Sequence, residues 1–488
     1  MVTSGRLPKG LALLRAKVAS SILRVLRIEG SSMIKITKFG GSSVSSAGQF
    51  KKVKAIVQAD PSRRFVVVSA AGKRDKFDSK ITDLLYLVNA HLQYHVTCDD
   101  LLGTIGQRFC EIAKELNLSY PISQEFGIFR ELAKRGEYTP EYIVSRGEYF
   151  TGRMMAEYLG FPFVDAADVI TFRPDSSIDM DKTAEKLKAA IGEEKCFVLP
   201  GFYGATEDGK IKLLDRGGGD ITGAIVAQCL GADLYENWTD VSGFLTADPR
   251  IVDNPKSISR ITYAELRELS YMGASVLHEE AIFPVKDAGI PLVIKNTNAP
   301  DDPGTVISEE TEPGVAEPLI TGIAGKKDFI AIHVKTNHMS SKVGYIRKTL
   351  SIFERYRVSI EHIPTGIDSF AVVVQGGDVK DCLYSIVADI KSELEPDEIK
   401  IVDRLALIST VGRNMPSRPG TSGRLFGELG HAGINIRMIA QGSEELDIVV
   451  GVDVDDFERA IRVIYGAFVD SDDNIITVEE AEEEATNE

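Results

Sequence analysis

An internal repeat in the last third of the chain constrains the fold more than any other feature. Residues 338–363 align without a gap on residues 414–439, so that Met339 falls on Met415, an offset of 76 residues. Each unit has the pattern strand, glycine-containing loop, helix, strand, strand, helix, which predicts a βαββαβ sandwich. Such a unit buries only one face of its sheet, so we expect the two copies to pair. Chance similarity of two α/β segments is the alternative.

Upstream of the repeat, short apolar runs alternate with helical segments from Met33 to about residue 310. The apolar runs include IKITKF, FVVVSA, CFVLPGFYG and DLYENWTDV, and the helical segments include AGQFKKVKAIVQAD, ITDLLYLVNAHL and ITGAIVAQCLGA. Continuous apolar strands separated by helices indicate an α/β fold whose mainly parallel sheet is covered on both faces. Ligands of such sheets bind beyond the carboxyl ends of the strands, so the loops there are candidate sites.

Length, net charge and cysteine spacing limit the number of domains, the classes of partner and the cellular location that we expect. A chain of 488 residues is too long for one hydrophobic core, which predicts two or three domains. The net charge of −16 argues against nucleic acid or an anionic membrane as a partner. No stretch approaches the ~20 apolar residues of a membrane span. The five cysteines are far apart and form no CxxC pair, which indicates reduced thiols and a cytoplasmic location.

Two glycine-rich turns lie between a predicted strand and a predicted helix. Lys38 precedes Gly40 and Gly41 in KFGGSSV, and DRGGGD occupies residues 215–220. Backbone N–H groups at such a helix start bind anionic oxygens, and the lysine and arginine add positive charge. Three consecutive glycines lose much conformational freedom, so a close approach to a ligand explains them better than a simple turn. Neither turn is a Walker A loop, and each alone is weak evidence.

Two further segments place acids near predicted strand or helix ends. Glu148 closes the segment SRGE, which precedes a helix, and alone it has the character of a surface carboxylate. The segment WTDVSGFLTADPR, residues 238–250, begins at a strand end and contains two aspartates. Its composition suits nucleotide edges or metal-bridged phosphates without proving them.

Together, KFGGSSV, SRGE, DRGGGD and WTDVSGFLTADPR resemble the motif set of the aspartate kinases, within the amino-acid-kinase superfamily, and the repeat resembles their paired ACT domains. The resemblance covers residues 33–475. It implies a three-layer amino-acid-kinase fold with a mainly parallel central sheet, followed by two ferredoxin-like βαββαβ ACT domains. We therefore predict a catalytic domain over 33–310 and ACT domains over 318–402 and 403–478.

The two ends of the chain differ from the rest. Residues 1–32 contain six Lys/Arg and one acid, and we expect a disordered extension from an upstream start. A targeting or surface-binding helix is the alternative. Residues 479–488 form an acidic tail that we expect to be solvated and disordered.

The resemblance implies a reaction as well as a fold. It implies transfer of a phosphoryl group from ATP, with Mg²⁺, to the side-chain carboxylate of L-aspartate, giving 4-phospho-L-aspartate. This is the first step of lysine, threonine and methionine biosynthesis. An aspartate side chain is already ionised at neutral pH, so no general base is required. The site must instead position two anions and neutralise their charge. We expect no resident metal site beyond the transient Mg²⁺.

Roles carried over from the family assign individual residues. Catalysis falls to Lys38, Arg216 and Asp220, and L-aspartate binding to Thr82, Glu148 and Arg216. The positions that line the phosphate channel or bind ATP are Lys38, Gly40, Gly41, Ser69, Ala70, Thr239, Asp240, Leu245, Arg250 and Ser275, with Asp248 nearby. Two of them depart from the family pattern, because Leu245 replaces a usual tyrosine and Ser275 a usual lysine.

The first ACT unit implies a regulatory site for an amino acid. Backbone amides of a glycine-containing loop suit an α-carboxylate, and an acid suits an amino group. The positions that match the family's inhibitor site are Met339, Ser341, Gly344, Tyr345, Ile346, Ser359 and Glu361. Lysine is the first expected inhibitor and threonine the second. The alternative is that these positions only stabilise a homodimer or higher oligomer, which we expect to form through the ACT domains.

Two other functions remain open from the sequence alone. The chain fits a catalytically silent amino-acid sensor that kept the kinase fold, a reading supported only by Leu245 and Ser275. It also fits a kinase of the same superfamily that acts on a different acid, such as glutamate or acetylglutamate.

Overall fold

The computed structural model describes residues 33–192, 195–215, 217–274, 277, 283–310, 317–416, 418–442, 444–470 and 475–476. The extension and the tail predicted at the two ends therefore lie outside the described residues, as do Arg216 and Ser275. Among the helices described, none is long and apolar enough to cross a membrane.

Ten strands form the sheets of the first domain: β1 (Lys35–Phe39), β2 (Phe65–Val68), β3 (Thr171–Phe172), β4 (Phe197–Pro200), β5 (Tyr203–Thr206), β6 (Ile211–Leu213), β7 (Leu234–Thr239), β8 (Arg260–Thr262), β9 (Leu292–Asn296) and β10 (Thr305–Ser308). The central sheet has the order β4-β2-β1-β7-β9-β10-β8, and only the pair β9 and β10 is antiparallel. Strands β3, β5 and β6 form a small second sheet.

Ten helices accompany these strands: α1 (Ala47–Ala59), α2 (Ile81–Gln93), α3 (Asp99–Glu115), α4 (Ile122–Lys134), α5 (Pro140–Leu159), α6 (Ala166–Val169), α7 (Met180–Ala190), α8 (Gly218–Leu230), α9 (Tyr263–Tyr271) and α10 (Phe283–Asp287). Successive side chains of a strand point to opposite faces. Accordingly Val66 and Val68 pack in one hydrophobic core, whereas Phe65 and Val67 pack in another. Both faces of the sheet are therefore covered, and the predicted three-layer α/β fold is confirmed.

The part of the chain that contains the repeat consists of β11 (Glu317–Pro318), β12 (Gly322–Lys335), β13 (Ser369–Gln375), β14 (Glu398–Val411), β15 (Met438–Gln441), β16 (Asp447–Asp453) and β17 (Ile475–Ile476), with helices α11 (Tyr345–Arg355), α12 (Gly376–Val379), α13 (Leu383–Leu394), α14 (Thr421–His431) and α15 (Phe457–Phe468). Five strands form one antiparallel sheet in the order β13-β12-β14-β16-β15. Strands β11 and β17 pair separately.

The two repeat units share their longest strands. β12 and β14 each contain 14 residues and pair with each other along nearly their whole length. The boundary that we drew between residues 402 and 403 lies inside β14. Around residues 359–365 the first unit forms only isolated bridges, His362 with Val373 and Thr365 with Phe370, where the second unit has β15.

Candidate active site

The predicted phosphate loops meet at the carboxyl ends of β1, β2 and β7. The backbone N–H of Gly40 donates to the carbonyl oxygen of Trp238 (2.9 Å), which ties the end of β1 to the end of β7. The N–H of Gly72 donates to the carbonyl oxygen of Gly41 (2.8 Å). A Cβ atom on Gly72 would lie 2.5 Å from the carbonyl carbon of Gly41, so this close approach requires glycine.

Lys38 and Asp220 form an ion pair inside this cluster. The Nζ atom of Lys38 contacts Oδ1 of Asp220, and Lys38 is buried. Asp220 lies in the first turn of α8, which follows Gly217 in the left-handed conformation at φ 79°. A Cβ atom on Gly219 would lie 2.7 Å from Oγ of Ser69, so the glycine run allows α8 to begin directly against the end of β2. The structure thus brings together residues from four separately predicted segments, KFGGSSV, FVVVSA, DRGGGD and DLYENWTDV.

Asn237 is a residue of this cluster that the sequence analysis missed. It lies on β7 opposite Lys38 of β1, is buried, and its Nδ2 donates to Oδ1 of Asp220 (2.9 Å). The phenol oxygen of Tyr235 donates to the backbone carbonyl of the same aspartate (3.0 Å). A buried polar residue within the strand LYENWT was the signal that could have found it. The amide holds the carboxylate that in turn orients the lysine.

Glu148 is fully buried on α5 beside the end of β2. Gly147 makes this packing possible, because a Cβ atom there would lie 2.9 Å from Cβ of Ala70. Burial raises the pKa of Glu148 to about 8, and the backbone N–H groups of Ala70 and of Glu148 itself offset only part of this effect. In the part of the chain that the structure describes, Oε2 of Glu148 has no hydrogen-bond partner. A buried acid in this state is suited to receive a cationic group of a ligand.

Helix α2, which carries Thr82, and the cation of Arg146 lie near Glu148. Thr82 is half-buried near the start of α2, and Tyr86 lies one turn later on the same face. The Tyr86 phenol has its pKa raised by burial and by the nearby charge of Glu148. A Cβ atom on Gly147 would lie 3.2 Å from Cδ1 of Leu85, so α2 packs against the turn of α5 that carries Glu148. Arg146 is buried among tyrosine rings, with its guanidinium carbon 4.1 Å from the ring centre of Tyr142.

The nucleotide end predicted from WTDVSGFLTADPR borders a large cavity. It has a volume of about 600 Å³ and is lined by residues 241–245, 247–250, 272–274 and 323–325. Leu245, Asp248 and Arg250 are therefore brought together there, and the guanidinium Nε of Arg250 donates to Oδ1 of Asp248 (3.0 Å). Thr239 and Asp240 do not line the cavity but join it to the Lys38 cluster along β7. Ser275 lies outside the described residues, next to the lining residue Ala274.

The positions predicted for an inhibitor divide into two groups. Met339 and Tyr345 are buried in the core of the first unit, with Ile346 packed against it, so they have a clear packing role. Gly344 precedes α11 with φ 78°, and Ser341 and Ser359 are exposed. Glu361 is half-buried, and its backbone N–H donates to the carbonyl oxygen of Val373 (2.9 Å).

Comparisons with known proteins agree with this geometry. Residues 33–296 match the amino acid kinase family, and residues 408–468 match an ACT domain. Fold and site thus define an amino-acid-kinase enzyme with an attached regulatory module. Aspartokinase 3 of Bacillus subtilis is 35% identical over 449 residues, which span 89% of this chain and 98% of that protein.

Solved structures point to the same group. The crystal structure of Clostridium acetobutylicum aspartate kinase has 47% sequence identity and a TM-score of 0.84, covering 90% of this chain and all of that one. Escherichia coli aspartokinase III, solved in complex with lysine and aspartate, has 25% identity and a TM-score of 0.70 over 90% of this chain and all of that one. The chain belongs to the amino acid kinase family and, within it, to the aspartokinases.

Proposed function

We propose that this chain transfers the γ-phosphoryl group of ATP to the side-chain carboxylate of L-aspartate at the cluster of Lys38, Asp220 and the glycine loops. The observation that carries the proposal is the position of that cluster next to Glu148. Ser69, at the end of β2, approaches the start of α8, and the following residue, Ala70, packs against α5 beside Glu148. The region that we propose binds phosphate and the carboxyl group that we propose binds the ammonium group thus both lie at the carboxyl end of β2.

In this proposal, each group of the site has a task that follows from charge. Lys38 and the loop amides neutralise the transferred phosphoryl group, and Asn237 and Asp220 hold the lysine in place. Glu148 receives the α-ammonium group of L-aspartate. Arg216 is expected to bind a carboxylate of the substrate. The attacking carboxylate is ionised, so no proton has to be removed.

We expect Mg²⁺ to enter with ATP and to take most of its ligands from phosphate oxygens and water. Asp240, an exposed carboxylate at the carboxyl end of β7, is the residue that we expect to reach the metal, directly or through water. The metal would supply positive charge between the β- and γ-phosphates. ATP, Mg²⁺ and reduced thiols together favour the cytoplasm as the location.

The regulatory module is expected to sense an end-product amino acid. The relative that was solved with lysine and aspartate supports lysine as the first candidate, and threonine is the second. The exposed positions near Gly344 and Glu361 support a site in the first unit, and a homodimer or higher oligomer through the ACT units is expected to complete it. Titration of activity with lysine, threonine and methionine, singly and in pairs, tests this. Absence of inhibition in every mixture would rule it out.

The central experiment measures ADP release with Mg-ATP and each of L-aspartate, glutamate and acetylglutamate. Among these three acids, we expect turnover only with L-aspartate. Lys38→Ala should lower kcat by roughly 10²–10³, which is typical of the loss of one group that stabilises transition-state charge. Lys212→Ala is the matched control, because Lys212 is a half-buried lysine on β6 whose Nζ donates to Oγ of Ser176, and its activity should be unchanged. Normal kcat in Lys38→Ala would refute its role, and no turnover with any acid would favour a silent sensor.

A further inference from the structure

We assign the cavity lined by Leu245, Asp248 and Arg250 to the nucleotide, because these residues belong to the segment predicted to bind ATP. The regulatory module, which begins at β11, forms one wall of this cavity. Loop residues 241–250 and the segment after α9, Met272 to Ala274, form two sides. The third side is Ile323, Ala324 and Gly325, which belong to β12 of the five-stranded regulatory sheet. The shape of this cavity therefore depends on how β12 is held against α9.

Glu265 is the group that joins these two elements. It lies in the first turn of α9, is fully buried, and accepts five hydrogen bonds. Two come from within the first domain, from N and Oγ1 of Thr262 (both 2.8 Å). Three come from the regulatory module: Oγ1 of Thr321 (2.5 Å), and N (3.2 Å) and Nη1 (2.7 Å) of Arg413.

The donors to Glu265 lie close to the residues that line the nucleotide cavity. Thr321 stands directly before β12 and only two residues before Ile323, which lines the cavity. Arg413 follows the end of β14, the strand that pairs with β12. On the other side, α9 contains nine residues and ends at Tyr271, next to the lining residue Met272. A rigid helix and a paired strand thus lead from Glu265 to two walls of the cavity.

Separation of the two elements is strongly disfavoured. If the regulatory strand moved away from α9, Glu265 would lose three of its five donors while still inside the protein. A buried carboxylate that loses its charged partner is far less stable than one that keeps it. The hydrogen bonds of Glu265 therefore hold the first domain and the regulatory module together.

A second cavity supports the same coupling. It has a volume of about 280 Å³ and is lined by Glu268 and Met272 from α9 and its end, and by His362 and Asp447 from the two repeat units. Met272 therefore separates the regulatory cavity from the nucleotide cavity. Because Met272 follows α9 directly, a change in the position of α9 would alter both cavities.

We propose that Glu265 is a positioning residue for nucleotide binding, which acts by holding the regulatory strand β12 as a wall of the nucleotide cavity through Thr321 and Arg413. The proposal rests on the nucleotide assignment above. It states that the regulatory module is part of the ATP site in its active arrangement, and not only a distant sensor. Any effector that loosens this contact would weaken ATP binding before it altered the chemistry.

The test separates ATP binding from the other steps. Thr321→Val and Arg413→Lys each weaken the hydrogen bonds that the regulatory module donates to Glu265, while the bonds from Thr262 to Glu265 stay in place. We expect each to raise KM for ATP at least about fivefold, the lower end of typical coupling between linked sites. KM for aspartate and kcat at saturating substrates should remain within about twofold. Arg437→Lys is the matched control, because Arg437 pairs with Asp453 (3.0 Å) within the regulatory sheet.

Direct titration with Mg-ADP measures the same effect without turnover, and circular dichroism identifies variants that fail to fold. Thr321→Val is nearly isosteric, so it decides the matter if Arg413→Lys does not fold. The proposal is overturned if nucleotide affinity in folded variants stays within twofold of the wild type, or if KM for aspartate rises in the same proportion. Loss of the proposed function itself is a different result, since the wild type would then consume no ATP with aspartate.

Discussion

The ionisation of Glu148 should control how tightly the enzyme binds aspartate. Burial raises the pKa of this carboxyl group to about 8, and Oε2 has no hydrogen-bond partner within the described residues. Only the ionised form offers a charge to the α-ammonium group of L-aspartate. The perturbation is therefore pH, varied from 6 to 8.5 at saturating Mg-ATP, with the aspartate concentration varied at each pH.

The expected magnitude follows from the pKa. With a value of about 8, the ionised fraction is about 1% at pH 6, about 9% at pH 7 and about 50% at pH 8. If only the ionised form binds, KM for aspartate should fall roughly ninefold from pH 6 to 7 and roughly 50-fold from pH 6 to 8. At pH 7, the deprotonation that binding requires costs about 1.4 kcal/mol.

Initial rates of ADP release at constant ionic strength measure this dependence, and kcat at saturating aspartate should change little. Calorimetry in two buffers of different ionisation enthalpy should detect about 0.9 proton released per aspartate bound at pH 7. Glu148→Gln keeps the shape and cannot titrate, so its KM should be higher and independent of pH. A flat KM in the wild type, or the same slope in Glu148→Gln, would refute the reasoning.

The same group should also affect the stability of the ligand-free protein. Below pH 4.5, both folded and unfolded states hold the proton. Between pH 4.5 and about 8, the unfolded state releases it while the folded state retains it, so this contribution to the free energy of unfolding decreases as pH rises. Thermal unfolding should therefore show a difference between wild type and Glu148→Gln that changes in this window, and added aspartate should stabilise the wild type more at pH 8 than at pH 6.

Three substitutions test other parts of the site. Asn237→Leu removes the donor to Asp220 and should lower kcat by about 10–100-fold with little change in either KM, as expected for one hydrogen bond to a charged group; equal kcat would contradict the positioning role. Gly72→Ala should lower the free energy of unfolding by about 1–3 kcal/mol and also lower activity, whereas Gly103→Ala, which has open space around it, should not destabilise the protein. Leu245→Tyr should lower KM for ATP by adding an aromatic wall to the nucleotide cavity, and an unchanged KM would show that this position does not contact the base.

Local patterns predicted most of the elements that form the site. The runs IKITKF, FVVVSA and DLYENWTDV became β1, β2 and β7, and the glycines after β1 and β2 meet as parallel-sheet topology requires. The other predicted glycine turn follows β6 of the small sheet and leads into α8. The repeat predicted two related units, but it could not show that they share strands. The polar residues GKKD at 325–328 resemble a turn. In the fold, the chain instead continues through them with a register shift between Lys326 and Phe329.

Contacts between distant segments were the part that local patterns could not reveal. Glu265 lies in the helical segment ITYAELRELS and has the spacing of an ordinary surface acid. Its donors in the regulatory module, residues 321 and 413, are 56 and 148 positions away in the sequence, so no local pattern connects them with Glu265. Asn237 gave a local signal as a polar residue within a strand, but its partner Asp220 lies at the start of α8, 17 residues earlier, and local patterns could not show that contact.

Two of the buried glutamates, Glu265 and Glu148, show how one residue type serves opposite purposes in this protein. Glu265 has all of its charge satisfied by protein donors, so it holds two modules together and resists change. Glu148 is left with an unpartnered oxygen and a raised pKa, so it gains most when a ligand brings a positive charge. In the proposed function, substrate binding at Glu148 completes a site that folding leaves incomplete, whereas the contact between domains is completed by folding itself. Removing the donors of Glu265 should therefore alter nucleotide affinity, and adding a cation beside Glu148 should raise stability.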